Sequence, residues 1–214
     1  MIPPVLACAP DQTVYVVDDD SSTRELLAWL MHRHSIPCQT FAEPRGFLEA
    51  YRPERSGCLI LDLNMPGMSG LELQTQLNER GLGIPVIFLS GRADVSRAVA
   101  AVRGGAFDFI EKPFDYKQIL QRVGECLERD RAARAALGAS KAIADGLAAL
   151  THREREVMER VVAGEMNREI AESLEISIKT VEAHRSRIME KLHVDSVVEL
   201  VQAMAELRAT GRGK

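Results

Sequence analysis

The chain has 214 residues, of which 46% are hydrophobic and 27% are charged, and its formal net charge at pH 7 is −4. This length allows one large or two small domains, and the apolar fraction is sufficient for each of two domains to bury a core. The weak negative charge excludes a nucleic-acid-binding protein that is basic throughout, so any DNA contact must come from a local patch.

The remaining composition favours a protein of the reducing cytoplasm. No stretch approaches the roughly 20 consecutive apolar residues of a membrane helix. The first decade has no basic segment of the kind that opens a signal peptide, and we expect residues 1–11 to be flexible. Four cysteines are separated by long gaps, which predicts isolated thiols rather than a disulfide framework or a zinc site: Cys8, Cys38, Cys58 and Cys126.

Residues 12–127 alternate short apolar runs with longer amphipathic runs. The apolar runs predict five strands, at Thr13–Val17, Ile36–Phe41, Cys58–Leu61, Pro85–Leu89 and Phe107–Ile110. Helices are predicted after the first strand, where Ser21 or Ser22 can cap the helix and Glu25 can complete a capping box on Ser22, and at Leu71–Arg80, Ala93–Arg103 and Asp115–Leu127. This alternation predicts an α/β doubly wound fold, in which helices cover both faces of a five-stranded parallel sheet.

The rest of the chain contains no strand-like run. Residues 128–149 are rich in Ala and Arg, and we expect an extended helix there that frays into a linker. Residues 150–207 predict a small all-α domain of four helices, at Glu156–Ala163, Asn167–Leu174, Ile178–Leu192 and Val197–Leu207. Residues 208–214 are predicted to be a flexible tail. The second and third of these helices form a helix-turn-helix candidate.

Polar side chains follow the predicted parallel strands at the point where four of them end. They are Asp18, Asp19, Asp62, Ser90 and Lys112. The carboxyl ends of parallel strands meet at one edge of the sheet, which is where ligands bind in open α/β sheets. Converging carboxylates repel one another unless a cation lies among them, and oxygen ligands suit magnesium. A carboxylate nucleophile beside a metal, a hydroxyl and a lysine suits phosphoryl transfer.

The third helix of the second domain has two different faces. An apolar face predicted to contact the core contains Ile178, Val181, Ile188, Met189 and Leu192. The opposite face is small, polar and partly basic, as entry into a DNA major groove requires, and contains Lys179, Thr180, Ala183, Ser186, Arg187 and Glu190. Arg185 lies within the apolar stripe, where we expect it to pair with Glu154 or Glu169.

Residues 12–127 resemble the receiver domain of two-component signalling. The motifs are V-V-D-D-D (16–20), L-D-L-N-M-P-G-M-S-G (61–70), F-L-S-G (88–91) and F-I-E-K-P-F (109–114). The resemblance implies that Asp62 is the phosphoacceptor. It implies a magnesium ion held by Asp19, Asp62 and the Asn64 carbonyl, with Asp18 acting through water. It also implies that Ser90 and Lys112 bind the phosphoryl group and that Phe109 is the aromatic switch residue.

Residues 150–205 resemble the LuxR-type helix-turn-helix of the FixJ/NarL family. The motifs are L-T-x-R-E-x-E-V (150–157), N-R-E-I-A (167–171) and S-x-x-T-V-E-x-H-R (177–185). The resemblance implies base contacts from Glu182, Ala183 and Ser186. It implies phosphate contacts from Lys179, Thr180, His184, Arg187 and, in the preceding helix, Arg168. It also implies that the last helix mediates dimerisation through Val197, Val198, Val201 and Met204.

Together these features predict a cytoplasmic transcriptional response regulator and not an enzyme. A sensor histidine kinase is expected to phosphorylate Asp62, after which the protein forms a homodimer that binds double-stranded promoter DNA and works with RNA polymerase, with no membrane partner. A phosphorelay carrier or protein-binding output that never contacts DNA remains the alternative. The polar outer face of the third helix favours the DNA-binding hypothesis.

Overall fold

The computed structural model of the protein describes residues 12–91 and 95–210. The chain divides into two compact units, Met1–Arg134 and Ala135–Lys214. The predicted flexible start, residues 1–11, and the last four residues of the predicted tail lie outside the described residues. Among the helices of the described ranges, none combines the length and apolar character that a membrane span requires.

The first unit contains a parallel sheet of five strands, as predicted. The strands are β1 (Gln12–Val17), β2 (Cys38–Phe41), β3 (Ser56–Asp62), β4 (Val86–Ser90) and β5 (Asp108–Glu111), and their spatial order is β2-β1-β3-β4-β5. All four strand pairs are parallel. Side chains of successive strand residues alternate between the two sheet faces, so Val14 and Val16 enter one core cluster while Tyr15 and Val17 enter the other.

Helices cover both faces of this sheet. They are α1 (Ser21–Arg33), α2 (Pro44–Ala50), α3 (Gly70–Glu79), α4 (Val95–Arg103) and α5 (Tyr116–Ala148). Buried residues of α1 and α5 belong to one core cluster, and those of α2, α3 and α4 belong to the other. Helix α2 was not predicted, because its seven residues are too few to show a clear apolar period.

The N-terminal cap of α1 differs from the prediction. Asp20, rather than Ser22, caps the helix, and its carboxylate accepts hydrogen bonds from the backbone N–H groups of Ser22 and Thr23. The expected capping box with Glu25 is therefore wrong. Asp is as good a cap as Ser, and its position directly after the strand loop places its carboxylate over the first helical turn.

Helix α5 continues without interruption over 33 residues, Tyr116–Ala148, so the helix expected in the linker is present but does not fray within these residues. Its first half enters the core of the first unit, with Ile119, Val123 and Cys126 fully buried. Its last turns belong to the second unit, in which Ile143 and Leu147 pack against the core. These apolar contacts supply the stability that the Ala- and Arg-rich composition alone does not reveal.

The second unit adds four helices to the end of α5: α6 (His152–Val162), α7 (Asn167–Ser173), α8 (Ile178–Leu192) and α9 (Val197–Thr210). Helix α9 includes residues 208–210, which the sequence had assigned to the tail. Thr151 and Glu154 form a capping box at α6, as the sequence indicated. The core between these helices includes Val157, Ile170, Val181 and Ile188.

Two charged side chains of this unit have partners other than those predicted. Arg185 donates to the Asn167 side-chain oxygen at 2.8 Å, whereas a carboxylate was expected. The buried Glu154 is instead paired with Lys191, whose Nζ lies 2.7 Å from its Oε2. The expectation of an Arg185 ion pair is therefore wrong. Helical spacing correctly predicted that Arg185 lies on the apolar stripe. Its hydrogen-bond partner could not be predicted, because it depends on how α7 and α8 cross.

The C-terminal end of α8 packs closely against the end of α5. A Cβ atom on Gly146 would lie 2.3 Å from the Lys191 carbonyl oxygen, so only glycine fits between the two helices. The Lys191 ammonium also donates to the carbonyl of Ala149, at 3.1 Å. One lysine thus joins α8 to the end of α5 and to the first turn of α6.

The Glu154–Lys191 pair predicts a pH-dependent stability of the second unit. The hydrogen bond from Lys191, with those of the Thr151 backbone and hydroxyl, lowers the pKa of Glu154 to about 2. A lowered folded-state pKa contributes stability that is complete above the unfolded pKa of about 4.5 and is lost as pH falls toward 2. We expect Lys191→Met to destabilise the second unit by about 1–3 kcal/mol at pH 7, and by progressively less as the pH falls from about 4.5.

Thermal unfolding of the full chain, followed at several pH values between 7 and 3, measures this difference. Arg168→Met is the matched control, because Arg168 forms a much more exposed pair with Glu172 and such pairs contribute little. An equal Lys191→Met effect at pH 7 and pH 3 would contradict the assignment.

Candidate functional site

Three of the predicted polar residues lie together at the carboxyl edge of the sheet. Asp18 follows β1, Asp62 ends β3 and Ser90 ends β4, and all three side chains are buried. Lys112 follows β5 and is partly exposed. Four of the five strands, β1, β3, β4 and β5, therefore each place one polar group at the same edge, as expected for a doubly wound sheet.

The Lys112 ammonium joins the two buried carboxylates. Its Nζ lies 2.7 Å from Asp18 Oδ2 and 2.7 Å from Asp62 Oδ1. Burial raises the pKa of Asp18, although the hydrogen bond from Lys112 opposes this change. Burial disfavours the charged form of Lys112, but its bonds to both carboxylates outweigh that effect and raise its pKa. The lysine is therefore held as a cation between the two acids.

Backbone groups bind the remaining oxygens of these carboxylates. The N–H of Asp20 donates to Asp18 Oδ1 at 2.9 Å, and the N–H of Asn64 donates to Asp62 Oδ2 at 2.6 Å. Both carboxylates are thereby fixed in orientation. Asp62 therefore has a defined geometry at the end of β3.

Asp19 is placed differently from its neighbours. Its side chain is exposed, and its backbone carbonyl accepts a hydrogen bond from Arg24, which also binds the Asp18 carbonyl. Sequence reasoning did not identify Arg24, since a lone cation in the first turns of a helix gives no specific signal. Within residues 12–91 and 95–210, no three His, Cys, Asp or Glu side chains are arranged to hold a metal ion. Of the carboxylates predicted to surround magnesium, Asp18 and Asp62 are brought together by their shared bond to Lys112, whereas the Asp19 side chain is exposed.

The two predicted switch residues lie on neighbouring strands. Ser90 is fully buried, and its carbonyl accepts the N–H of Lys112 at 2.7 Å. Phe109 pairs with Phe88 across β4 and β5, is partly buried, and packs against the same core cluster as Phe88. Asn64 is exposed, and its side-chain oxygen contacts the Arg97 guanidinium on α4, a partner that the sequence did not indicate.

The outer face of α8 is formed as the helical pattern predicted. Ser177 caps the helix by accepting the N–H of Thr180 at 3.0 Å. Exposed side chains on α8 include Lys179, Glu182, Ala183, Ser186 and Arg187. These residues are most of those expected to contact DNA, and none of them is needed to fill the core.

The other residues expected to contact DNA are partly buried or form contacts with neighbouring side chains. The Thr180 hydroxyl lies 2.7 Å from the Ser177 hydroxyl. Arg168 is exposed and forms an ion pair with Glu172 at 3.0 Å. His184 is half-buried, and its Nδ1 has no hydrogen-bond partner within the described part of the chain. Ile178, expected in the core, is instead 46% exposed, because the first turn of α8 projects beyond the packed helices.

The four apolar residues predicted to mediate dimerisation on α9 fall into two groups. Val198 and Val201 are exposed. Val197 and Met204 are partly buried against the core of the second unit. Val197, Val201 and Met204 lie within about 60° of one another on the helical wheel, so periodicity could not separate the exposed Val201 from the partly buried Val197 and Met204.

Both halves of the chain match known families. The family described as response regulator receiver domain matches residues 14–124, and the luxR family of bacterial regulatory proteins matches residues 148–204. The transcriptional regulatory protein TdiR of Thauera aromatica is 42% identical over 88% of this chain and 83% of its own length. The transcriptional regulatory protein FixJ of Azorhizobium caulinodans is 40% identical over 88% of this chain and 90% of its own length.

Solved structures of response regulators also match this chain. The response regulator StyR is 39% identical with a TM-score of 0.80, over 92% of this chain and 99% of its own. Full-length FixJ from B. japonicum is 33% identical with a TM-score of 0.57, over 89% of this chain and 94% of its own. The luxR-family match supports the DNA-binding hypothesis over the protein-binding alternative. The chain therefore belongs to the response-regulator family of two-component signalling, as a transcriptional regulator with a receiver domain and a LuxR-type DNA-binding domain.

Proposed function

We propose that a sensor histidine kinase phosphorylates Asp62 and that the phosphorylated protein binds promoter DNA as a homodimer. The observation that carries this proposal is the ion pair of Lys112 with Asp18 and Asp62 at the carboxyl edge of the sheet. A buried carboxylate held beside a cation, with the buried Ser90 on the next strand, is suited to accept a phosphoryl group.

The transfer requires few groups. An Asp62 carboxylate oxygen attacks the phosphorus of a phosphohistidine, a P–O bond forms, the P–N bond breaks, and the departing imidazole nitrogen takes a proton. Lys112 compensates the negative charge on the phosphoryl oxygens, and the Ser90 hydroxyl can donate to one of them. The N–H of Asn64, which donates to Asp62, keeps the carboxylate oriented.

Magnesium is the cofactor that this donor set fits best. Asp18, Asp19, Asp62 and the Asn64 carbonyl supply hard oxygen ligands, which magnesium prefers. When bound, the ion would neutralise charge on the transferring phosphoryl oxygens. Two buried carboxylates share the single ammonium of Lys112, an arrangement of acidic oxygens that favours a divalent cation.

Replacing Asp62 tests the phosphoacceptor. We expect Asp62→Asn to abolish acid-labile phosphorylation by a small phosphodonor such as acetyl phosphate, because the nucleophile is removed. Chelating magnesium should prevent the reaction in the wild type. Asp20→Asn is the matched control, since Asp20 caps α1 and Asn caps equally well. Labelling of Asp62→Asn at the wild-type level would refute the assignment.

The outer face of α8 is the proposed DNA-binding surface. Lys179 and Arg187 supply exposed positive charge for phosphates, together with Arg168 on α7 and the polar groups of Thr180 and His184. Exposed Glu182, Ala183 and Ser186 lie between them and are proposed to contact base edges. Promoter binding and cooperation with RNA polymerase follow from the role of the transcriptional regulators that this chain resembles.

Substitutions on this face should distinguish residues that supply positive charge from residues that determine which DNA sequence is bound. We expect Lys179→Ala and Arg187→Ala to weaken binding to all DNA sequences and to reduce the salt slope by about one unit each. Glu182→Ala and Ser186→Ala should instead change which sequences are bound. Lys141→Ala removes the same charge from an exposed position on α5, outside the proposed surface, and serves as the control. Binding titrations at several salt concentrations, on selected and random fragments, distinguish these effects.

Two exposed apolar surfaces are available for dimerisation. On α4 of the receiver, Val99 and Val102 are 45% and 61% exposed. On α9, Val198 and Val201 are exposed in the same way. We propose that phosphorylation changes the surface around α4, β5 and α5, and that a two-fold pairing there raises the effective concentration of the second DNA-binding domain.

Beryllofluoride, a mimic of the phosphoryl group, should convert the wild-type protein from monomer to dimer in analytical ultracentrifugation. We expect Val102→Asp to prevent this dimer because it places a charge in the apolar surface. Val198→Asp should leave the receiver dimer intact and weaken binding to two-part DNA sites. If the wild type binds its site tightly while still monomeric, dimerisation is not the mechanism, and release of an inhibitory contact becomes the better explanation.

A further inference from the structure

Helix α5 carries a buried acidic residue that the proposed phosphorylation chemistry does not use. Asp130 is 3% exposed and lies at the sheet edge opposite Asp62. We propose that Asp130 is a positioning residue that holds α5 on the receiver and is required for phosphorylation to change DNA binding. This inference rests on the phosphorylation-dependent function proposed above.

A single carboxylate oxygen of Asp130 receives three hydrogen bonds. Asp130 Oδ2 lies 2.5 Å from Ser56 Oγ, 2.9 Å from the Gly57 nitrogen and 2.7 Å from Arg134 Nε. Arg134 also donates to the Pro53 carbonyl at 2.6 Å. We call these four bonds the Asp130 clamp. They join one turn of α5 to the start of β3 and to the loop before it.

The clamp has a second attachment from β1. The buried side-chain amide of Gln12 donates to the Leu127 carbonyl at 3.0 Å and to Ser56 Oγ at 3.4 Å. Gly57 is required here, because a Cβ atom would lie 2.1 Å from the Thr13 carbonyl oxygen. The start of β3 is therefore fixed closely between β1 and α5.

The same strand joins the clamp to the phosphorylation site. Strand β3 begins at Ser56, in the clamp, and ends at Asp62. Six residue steps along a strand cover about 20 Å. A shift of β3 that accompanies phosphorylation of Asp62 would therefore reach α5 through backbone that is buried along its whole length.

The clamp belongs to the first unit and includes Arg134, the last residue of that unit along the chain. The first unit ends at Arg134, and α5 continues into the second unit, where its last turns pack against the core. Because α5 is the covalent connection between the units, a change in the receiver can act on the DNA-binding domain through this helix. A buried carboxylate with three donors gives that helix one defined position on the receiver.

The test uses the full chain, with Asp130→Ala as the main variant. Arg131→Met is the matched control, because Arg131 lies next to Asp130 on α5 but forms only an exposed pair with Glu128. Three quantities are measured: phosphorylation by acetyl phosphate, hydrogen exchange of α5 amides, and DNA affinity with and without beryllofluoride. The ratio of the two affinities is the coupling, which a purely structural role would leave unchanged.

We expect Asp130→Ala to be phosphorylated as the wild type is, with α5 amides near the clamp exchanging roughly tenfold faster. The beryllofluoride gain in DNA affinity should fall at least about fivefold, the low end of common allosteric couplings. Arg131→Met should keep both wild-type values. If Asp130→Ala does not fold, Arg134→Met is measured instead, since it removes two bonds of the clamp and leaves Asp130 attached to Ser56 and Gly57.

Other outcomes would show whether the coupling role, the clamp itself or the proposed function is wrong. A wild-type gain in Asp130→Ala or Arg134→Met, with faster exchange in α5, would overturn the coupling role. Unchanged exchange in both variants would show that the clamp does not hold the helix, and the same loss of gain in Arg131→Met would show that the effect is not specific to it. If the wild type itself gains no affinity from beryllofluoride, the proposed function fails, independently of the clamp.

Discussion

The structure of the receiver depends on one electrostatic constraint, which is that two buried carboxylates share a single ammonium. Asp18 follows β1, Asp62 is the last residue of β3, and Lys112 follows β5. Without the lysine, two acids at this edge would repel each other and one would take up a proton. The ion pair therefore orients the carboxylate proposed to accept the phosphoryl group, and it fixes the loops after β1, β3 and β5 relative to one another.

The opposite edge of the sheet uses the same principle in another way. Asp130 is buried and receives donors from β3 and from its own helix. A buried charge is tolerated only where donors satisfy it, so both ends of β3 are held by carboxylates with fixed partners. Strand β3 thus connects the reactive edge with helix α5, the segment that continues into the DNA-binding domain.

In the DNA-binding domain, apolar packing leaves one face of α8 for function. Val181, Ile188 and Leu192 fill the core, while Gly146, Glu154 and Lys191 hold the C-terminal end of the helix in place. The residues proposed to contact DNA carry little of the folding free energy, since surface substitutions usually have small effects. They can therefore vary with the target sequence while the domain remains folded.

The sequence by itself determined the five strands, the four-helix domain and the convergence of Asp18, Asp62, Ser90 and Lys112, because strand and helix periods and the parallel topology depend on local patterns. Tertiary structure decided the features that depend on how elements meet. It paired Lys191 with Glu154 and Arg185 with Asn167, exposed Ile178, and kept α5 helical to Ala148. These outcomes depend on helix crossings and on long-range packing, which no periodicity along one segment records.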